Sequence, residues 1–179
     1  MDYDLMNPKT YLVTGGSGFI GSALVQRLVT AGHRVRVLDN QSRGSASRLS
    51  GVLGQIEFIQ GDVRDASVVE KAVSGVDSVC HLAFVNGTEF FYTKPELVLE
   101  VGVKGMTHVM DACLKHHVPE LVLASSSEVY QVPKNIPTDE TASLSIPDPM
   151  NPRYSYGAGK IISEMMAINY GRKYLKRVL

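Results

Sequence analysis

The stretch TYLVTGGSGFIG, residues 10–21, decides the fold of this chain. Leu12 and Val13 form a short strand-like run, whereas the apolar residues from Phe19 onward recur at helical spacing. The period therefore changes at the glycines between them. This change predicts a buried strand that turns sharply and continues directly into a helix.

The three glycines of this turn are spaced three residues apart, at Gly15, Gly18 and Gly21. Without a Cβ, Gly15 permits a tight turn, Gly18 lets backbone N–H groups approach a pyrophosphate, and Gly21 lets the helix pack close to the strand. The helix N-terminus adds unpaired N–H donors and a positive dipole end, which favour an anion. Taken alone, the triplet is also compatible with an ordinary glycine-rich turn.

An acidic residue follows at the position that a dinucleotide site requires. A first helix to Ala31 and a second strand over residues 34–38 lead to Asp39, which lies 18 residues after Gly21. A carboxylate there accepts hydrogen bonds from the adenosine ribose and repels a 2′-phosphate, which favours NAD over NADP. Two alternatives stay open: Asp39 could cap the next turn, or Arg43 could serve a 2′-phosphate.

Strands and helices alternate through the rest of the chain. Further strands are predicted over residues 56–60, 78–83 and 121–124, and further helices over residues 68–73, 95–117 and 154–174. This alternation predicts right-handed crossovers and an α/β fold with a Rossmann-type, doubly wound parallel sheet. Ligands of such sheets bind beyond the carboxyl ends of the strands, where Asp39, Asp62 and Ala83 fall.

Two segments differ from the usual pattern. The predicted helix 95–117 is apolar on more than one side, which is typical of a helix that is deeply buried or lies against a second subunit. Prolines 133, 137, 147, 149 and 152 mark a loop that is long enough to suggest a function.

Tyr156 and Lys160 supply candidate acid–base chemistry. They are i and i+4 on the last predicted helix, so they share a face. An ammonium beside a phenol favours the phenolate and lowers its pKa from about 10 toward that of a useful base. A serine at the end of the fifth strand could bind the same substrate oxygen. A Tyr-x-x-x-Lys pair in isolation is common, but it gains weight downstream of a dinucleotide fingerprint.

Composition excludes several classes of protein. Eighteen basic and 18 acidic residues cancel, so no global field attracts nucleic acid or an anionic membrane. No apolar run is long enough for a membrane span, and the N-terminus has no basic region of a signal peptide. Cys80 and Cys113 stand outside any Cys-x-x-Cys pair, which predicts reduced core thiols of a cytoplasmic protein. The five histidines lack metal-ligand spacing, and we expect no metal.

With these motifs in order, the chain resembles the extended branch of the short-chain dehydrogenase/reductase family, the NAD-dependent sugar-nucleotide epimerases and dehydratases. The resemblance covers residues 10 to about 178, and the combination is more specific than any single motif. It is carried by Thr14-Gly15-Gly16-Ser17-Gly18-Phe19-Ile20-Gly21, Asp39-Asn40, Gly61-Asp62-Val63-Arg64-Asp65, His81-Leu82-Ala83, Ser125-Ser126-Ser127-Glu128-Val129-Tyr130, and Tyr156 with Lys160.

The resemblance implies that residues 1–179 are an NAD-binding Rossmann domain, with the glycines at the pyrophosphate. Asp39 would hold the adenosine ribose, Asp62 and Val63 would flank the adenine, and Ala83 would lie along the nicotinamide side. The implied cofactor site contains Gly15, Gly18, Phe19, Ile20, Gly21, Asp39, Asn40, Asp62, Val63, Leu82, Ala83, Tyr156 and Lys160.

The implied catalytic residues are Ser126, Tyr156 and Lys160. Tyr156 would remove a proton from a sugar hydroxyl as hydride passes to NAD, and Lys160 would bind the nicotinamide ribose and lower the tyrosine pKa. The resulting keto sugar is reduced again from its other face in the epimerases. Ser127 and Glu128 are possible accessory residues, and they also match 4,6-dehydratases and nucleotide-sugar decarboxylases.

The principal expectation is therefore an epimerase of a nucleotide sugar. The alternatives are a dehydratase or decarboxylase of the same family and, from another class, a noncatalytic NAD-binding module. The resemblance also implies a homodimer, formed through the helices around residues 95–117 and 155–174.

The chain departs from the family pattern at four places. Phe84 stands where alanine is usual, Gly102 where an asparagine supports the cofactor site, and Gln131 where glycine is common. The chain also stops at Leu179, where a sixth strand should begin. We therefore expect it to be the N-terminal part of a longer enzyme, truncated before the C-terminal substrate domain.

Overall fold

The computed structural model describes residues 7–179, and residues 1–6, which carry most of the signal-peptide prediction, lie outside it. In chain order, the strands are β1 (Thr10–Thr14), β2 (Arg34–Asp39), β3 (Ile56–Gln60), β4 (Ser78–His81), β5 (Glu120–Leu123) and β6 (Arg177–Val178). They form one sheet in the order β3-β2-β1-β4-β5-β6, and every neighbouring pair is parallel. This arrangement confirms the predicted α/β, Rossmann-type fold.

Six α-helices connect and cover the strands. They are α1 (Phe19–Thr30), α2 (Ala66–Val73), α3 (Thr88–Thr93), α4 (Pro95–Leu99), α5 (Gly105–Lys115) and α6 (Ser155–Tyr174). A π-helical turn, Glu100–Lys104, joins α4 to α5. Single 3₁₀ turns lie at Ala46–Leu49, Leu53–Gln55, Ser127–Val129 and Pro152–Tyr154.

The central strands β1 and β4 are buried on both faces of the sheet. Successive residues of a strand point to opposite faces, so Leu12 belongs to the core beneath α2 and α5, and Val13 to the core beneath α1. Both side chains are fully buried. Burying an aliphatic side chain contributes about 1.5–3 kcal/mol, and these two strand positions therefore anchor both helical layers.

The sheet order reverses between β1 and β4. Thr14, the last residue of β1, pairs with Leu38 on one side and His81 on the other. From there the chain continues outward in both directions, through β2 and β3 and through β5 and β6. The carboxyl ends of β1 and β4 therefore border a crevice, the usual ligand position of such a fold.

The predicted helix 95–117 is divided and somewhat shorter. It is interrupted by the π-helical turn and ends at Lys115, where His117 adopts a left-handed φ of 53° and the N–H of Val118 bonds to the Cys113 carbonyl. Its several apolar sides are explained inside the chain, because α4 packs on α6 and α5 packs on α2. Burial, the first of the two predicted explanations, therefore applies to most of this helix.

Other element boundaries differ from the predicted ones because side chains hydrogen-bond to backbone N–H groups at the element ends. β4 ends at His81, two residues short of the predicted Ala83, since the N–H of Ala83 bonds to the Thr14 hydroxyl. α2 begins two residues early because Asp65 accepts the first-turn N–H groups of Ser67 and Val68. The short α3 is an addition to the predicted elements, and β6 supplies the start of the expected sixth strand.

Candidate active site

The glycine bend leaves little space for side chains at this edge of the crevice. Gly15 has a φ of +71°, and a Cβ there would lie 2.8 Å from the Ala83 nitrogen. A Cβ on Gly21 would overlap the carbonyl oxygen of Gly15. α1 begins immediately after Gly18, and no side chain of the described residues caps its first turn. Backbone N–H donors and a helix dipole therefore point at this edge of the crevice.

Asp39 fastens the bend to the loop after β2. Its carboxylate is buried, accepting the N–H of Ser17 at 2.9 Å through Oδ2 and the N–H of Gln41 at 2.7 Å through Oδ1. Each carboxylate oxygen has a further lone pair. Asp39 thus serves the loop geometry, as the alternative interpretation holds, and also lines the crevice.

Arg43 lines the crevice as well, but its guanidinium is packed on an aromatic ring. The guanidinium carbon lies 4.7 Å from the centre of the Phe90 ring. This stacking links the loop after β2 to α3.

Asp62 is held by a network of its own. Arg64 donates to Asp62 from Nε at 3.0 Å and from Nη2 at 2.8 Å, and Asn40 donates at 2.9 Å. Arg64 also reaches Glu100 at 3.1 Å. The hydrogen bonds from Arg64, with Asn40, lower the pKa of Asp62 to about 2, so its carboxylate stays charged.

Tyr156 and Lys160 share the inner face of α6. Tyr156 is 7% exposed and lies between two rings, edge-on to Phe84 at 4.9 Å and stacked on Phe91 at 5.4 Å between ring centres. Lys160 is 3% exposed and donates from Nζ to the carbonyl of Ala124 at 2.5 Å. Both side chains point into the crevice, as the i, i+4 spacing predicts.

Their pKa values are governed chiefly by burial. Desolvation lowers the pKa of Lys160 to about 8, against the opposing charge of Glu164. Desolvation raises the pKa of Tyr156, and a hydrogen bond with Ser126 only partly offsets it. That Lys160 lowers the tyrosine pKa stays a prediction: Nζ is bonded to a carbonyl and lies 5.8 Å from the Tyr156 ring centre.

The serines of the cluster after β5 contact different partners. Ser125 lines the crevice and donates to the Glu164 carboxylate. Ser126 accepts the N–H of Glu128 at 3.3 Å, which starts a 3₁₀ turn, and its hydroxyl lowers the pKa of Tyr156 slightly against the effect of burial. Glu128 points its carboxylate to the Arg153 guanidinium at 3.5 Å.

His81 is less satisfied than a simple strand-end histidine. The Thr14 hydroxyl accepts the N–H of Ala83 at 3.2 Å and shares a hydrogen bond with His81 Nδ1, 2.8 Å away. The other ring nitrogen, Nε2, is buried and has no partner within residues 7–179. Burial, assisted by the charge of Lys160, lowers the pKa of His81 to about 3 and keeps the ring neutral.

One crevice of about 370 Å³ collects these groups. Every residue of the predicted cofactor site lines it, whereas Ser126, Ser127 and Glu128 lie behind or beside its wall. Eleven further lining residues are absent from the predicted site, and most of them belong to the segments directly after β2 and β4. They are Leu38, Ser42, Arg43, Gly44, Gly61, Phe84, Val85, Asn86, Val101, Ala124 and Ser125.

The remaining sequence predictions concern metals, thiols and membranes. Within the described part of the chain, no three His, Cys, Asp or Glu side chains are grouped closely enough to share a metal ion. Cys80 and Cys113 are buried and unpaired, and burial raises the pKa of their thiols to about 11 and about 12. No helix of residues 7–179 has the length and apolar character needed to cross a membrane.

The chain is similar in sequence to known proteins. A family model described as the NAD dependent epimerase/dehydratase family matches residues 11–179. UDP-glucose 4-epimerase of Streptomyces lividans is 35% identical over 159 residues, covering 87% of this chain and 46% of that protein. dTDP-glucose 4,6-dehydratase of Streptomyces antibioticus is 32% identical over 176 residues, covering 91% and 49%.

Solved structures agree with the sequence relatives. UDP-glucose 4-epimerase from Brucella ovis in complex with NAD superposes with a TM-score of 0.82 at 28% identity, covering 95% of this chain and 50% of that one. The Thermus thermophilus UDP-glucose 4-epimerase complex with NAD gives 0.79 at 33% identity, covering 92% and 51%. The chain therefore spans about half the length of the proteins it matches.

Proposed function

The chain belongs to the NAD dependent epimerase/dehydratase family, and on that premise we propose that it forms the cofactor half of a nucleotide-sugar epimerase that uses NAD. One observation carries the proposal: the glycine bend and the Tyr156–Lys160 pair line the same crevice.

The crevice fits NAD on its own geometry. A Cβ at Gly15 would fill the space against Ala83, and the uncapped first turn of α1 offers N–H donors to a diphosphate. Asp39 retains lone pairs for ribose hydroxyls and repels a 2′-phosphate. Arg43, which could favour NADP, is stacked on Phe90. When bound, NAD supplies a reversible hydride acceptor.

The side chains at the inner end of the crevice would handle the proton. Tyr156 takes the proton of the sugar hydroxyl at its phenol oxygen and returns it after the keto sugar has turned. Ser126, whose hydroxyl favours the charged form of Tyr156, would stabilise the phenolate. Lys160, fixed by the Ala124 carbonyl, places a positive charge on the same wall. The surrounding rings of Phe84 and Phe91 exclude water from the phenol.

A 4,6-dehydratase is the second candidate, because a dehydratase is among the relatives of comparable identity. A dehydratase needs an additional acid, for which Glu128 is the sequence candidate. The pairing of Glu128 with Arg153 outside the crevice wall weighs against that role and against a decarboxylase. We therefore retain the epimerase as the principal assignment.

The direct test supplies the whole protein with NAD and a panel of UDP-, GDP- and dTDP-sugars. Inversion at one sugar carbon, followed by NMR, supports the epimerase, and loss of water with a keto product supports the dehydratase. Calorimetry separates the noncatalytic alternative: NAD binding without binding or turnover of any sugar would support a cofactor-binding module.

Tyr156→Phe gives the matched test of the proton-transfer residue. The variant keeps the ring packed between Phe84 and Phe91. We expect NAD affinity to stay within about twofold and turnover to fall by at least about 10²-fold, the usual contribution of an acid–base group. Turnover close to that of the unmodified protein would move the base to another residue.

We further propose a cytoplasmic homodimer. The buried, unpaired thiols suit a reducing compartment. On the outer face of α6, Ile162, Met165 and Ile168 are 38%, 59% and 41% exposed, and Leu99 at the end of α4 is 38% exposed. A partner's equivalent helices would cover this apolar face. A net charge of zero gives no support for nucleic acid as a partner.

A further inference from the structure

The Phe84 ring packs against two glycines from different elements. They are Gly102 in the π-helical turn and Gly159 in α6, both buried, and together they form what we call the seat of the ring. A Cβ on Gly102 would overlap the ring at Cζ, and a Cβ on Gly159 would lie 2.9 Å from the same atom. A side chain at position 102 and the aromatic ring at position 84 therefore exclude each other.

The seated ring touches both groups of the proposed acid–base pair. Lys160 Nζ lies 4.2 Å from the ring centre, within the range of a cation–π interaction. The Tyr156 ring meets Phe84 at 77°, edge to face. The lysine ammonium has three protons to place, and its other contacts are the hydrogen bond to the Ala124 carbonyl and the more distant Tyr156 ring, at 5.8 Å.

The position of the ring also explains two departures of the sequence together. Alanine is usual at position 84 and asparagine at position 102 in the family that the chain resembles. In this chain the larger residue stands at position 84 and the small one at position 102, and the larger residue is aromatic instead of polar.

We propose that Phe84 is the positioning residue for Lys160 and Tyr156, and that Gly102 makes room for the Phe84 ring. The role in catalysis rests on the proposed function, whereas the packing relation does not. The other titratable groups close to Lys160 are Tyr156 and Glu164 on α6 and His81 on β4. None of them takes the place of the ring over Nζ.

A reciprocal pair of substitutions tests the seat. Gly102→Ala places a methyl group where it overlaps the edge of the Phe84 ring, and we expect it to lower Tm by about 5 °C or more. In the double variant with Phe84→Ala, the methyl group has space, and most of that loss should disappear. Gly105→Ala is the matched control: its Cβ would crowd Val63 at 2.8 Å, so Phe84→Ala should not rescue it.

A second measurement separates positioning from mere packing. Phe84→Leu keeps an apolar side chain but removes the π face, which favours the charged lysine. The pKa of Lys160, followed by ¹³Cε NMR and assigned by loss of the signal in Lys160→Arg, should fall by about half a unit or more. An unchanged or raised pKa would overturn the positioning role, and a double variant no more stable than Gly102→Ala would overturn the seat.

Both measurements are made on the whole protein without NAD or sugar. If the rescue and the pKa change are found but no nucleotide sugar is converted, the proposed function fails and the coupling of Phe84 to Lys160 stands. If turnover is found while Phe84→Leu leaves both the lysine pKa and the pH dependence of turnover unchanged, the positioning proposal alone fails.

Discussion

At the residue scale, Lys160 carries a charge where water cannot reach it. The side chain is 3% exposed, and burial lowers its pKa from 10.5 to about 8. A lowered lysine pKa means that the unfolded chain holds this proton more tightly than the folded chain does. The folded state therefore carries a penalty that is complete below about pH 8 and fades as the pH rises toward 10.5.

Lys160→Met should relieve this penalty. We expect the variant to unfold with a free energy about 1–3 kcal/mol higher at pH 7, after allowance for the lost hydrogen bond to Ala124. The gain should shrink between about pH 8 and about pH 9.5, and NAD-dependent turnover should be lost. Urea unfolding at the two pH values measures the effect. A gain that does not depend on pH would show that packing, and not the charge, is responsible.

Asp39 combines a structural and a recognition role in one carboxylate. Asp39→Ala removes the acceptors of the Ser17 and Gln41 N–H groups, and each lost bond leaves a donor unsatisfied at about 1–3 kcal/mol if it stays dry. We expect weaker NAD binding, relaxed rejection of NADP and a lower Tm. Asp39→Asn keeps an acceptor oxygen but not the charge, and calorimetry with both cofactors should show partial relaxation. An unchanged cofactor preference in both variants would assign selectivity elsewhere.

At the element scale, the strand–turn–helix unit is held together by close backbone contacts. Gly21 brings the first turn of α1 against the Gly15 carbonyl, and Gly32 ends the same helix with a left-handed φ of +83°. The two glycines serve different purposes. Gly21 is required by space, whereas Gly32 is required only by conformation, because among the described residues no atom beyond its chain neighbours lies within 4 Å of the position that a Cβ would take.

Gly21→Ala and Gly32→Ala therefore form a matched pair on one helix. The first must displace α1 from the bend, and we expect a loss of about 3 kcal/mol or more together with loss of NAD binding. The second places a residue with a Cβ in the left-handed region and should cost only about 1–2 kcal/mol, with NAD binding retained. Thermal unfolding and calorimetry distinguish them; equal losses in both would contradict the close-packing argument.

Periodicity and glycine spacing were sufficient to predict β1, α1 and the sheet they start. The strand ends also predicted that Asp39, Asp62 and Ala83 border the crevice, whereas its other predicted residues came from the family resemblance. The differences lie where a side chain bonds to a distant backbone group: the Thr14 hydroxyl takes the N–H of Ala83 and ends β4 early, and Lys160 donates to the Ala124 carbonyl. Such contacts depend on distances across the fold, which spacing along the chain does not contain.

At the scale of the whole molecule, the exposed apolar surface is unevenly distributed. Most of the apolar helix 95–115 is buried in its own chain, but α6 presents Ile162, Met165 and Ile168 on its outer side. The chain thus has an apolar helical face beside the proposed active site. Covering that face would connect assembly to the position of Tyr156 and Lys160 on the same helix.

Met165→Glu combined with Ile168→Lys should prevent this assembly. We expect the whole protein to sediment as a dimer and the double variant as a monomer, because a charge buried in an apolar interface is costly. Val132→Glu is the control, since Val132 is 89% exposed but lies on the loop after β5. Dimers of undiminished stability in the double variant would assign the interface to another surface.

The π-helical turn between α4 and α5 changes which side of the continuous helix faces the core. An additional residue per turn rotates everything beyond it by about 100°, so α4 can face α6 while α5 faces α2. Gly102 sits inside that step. Removing a single residue from Glu100–Lys104 would restore a regular spiral, but it would set the two layers out of register and turn the glycine away from the aromatic ring it accommodates. A change of length in this short segment should accordingly disturb both helical layers at once.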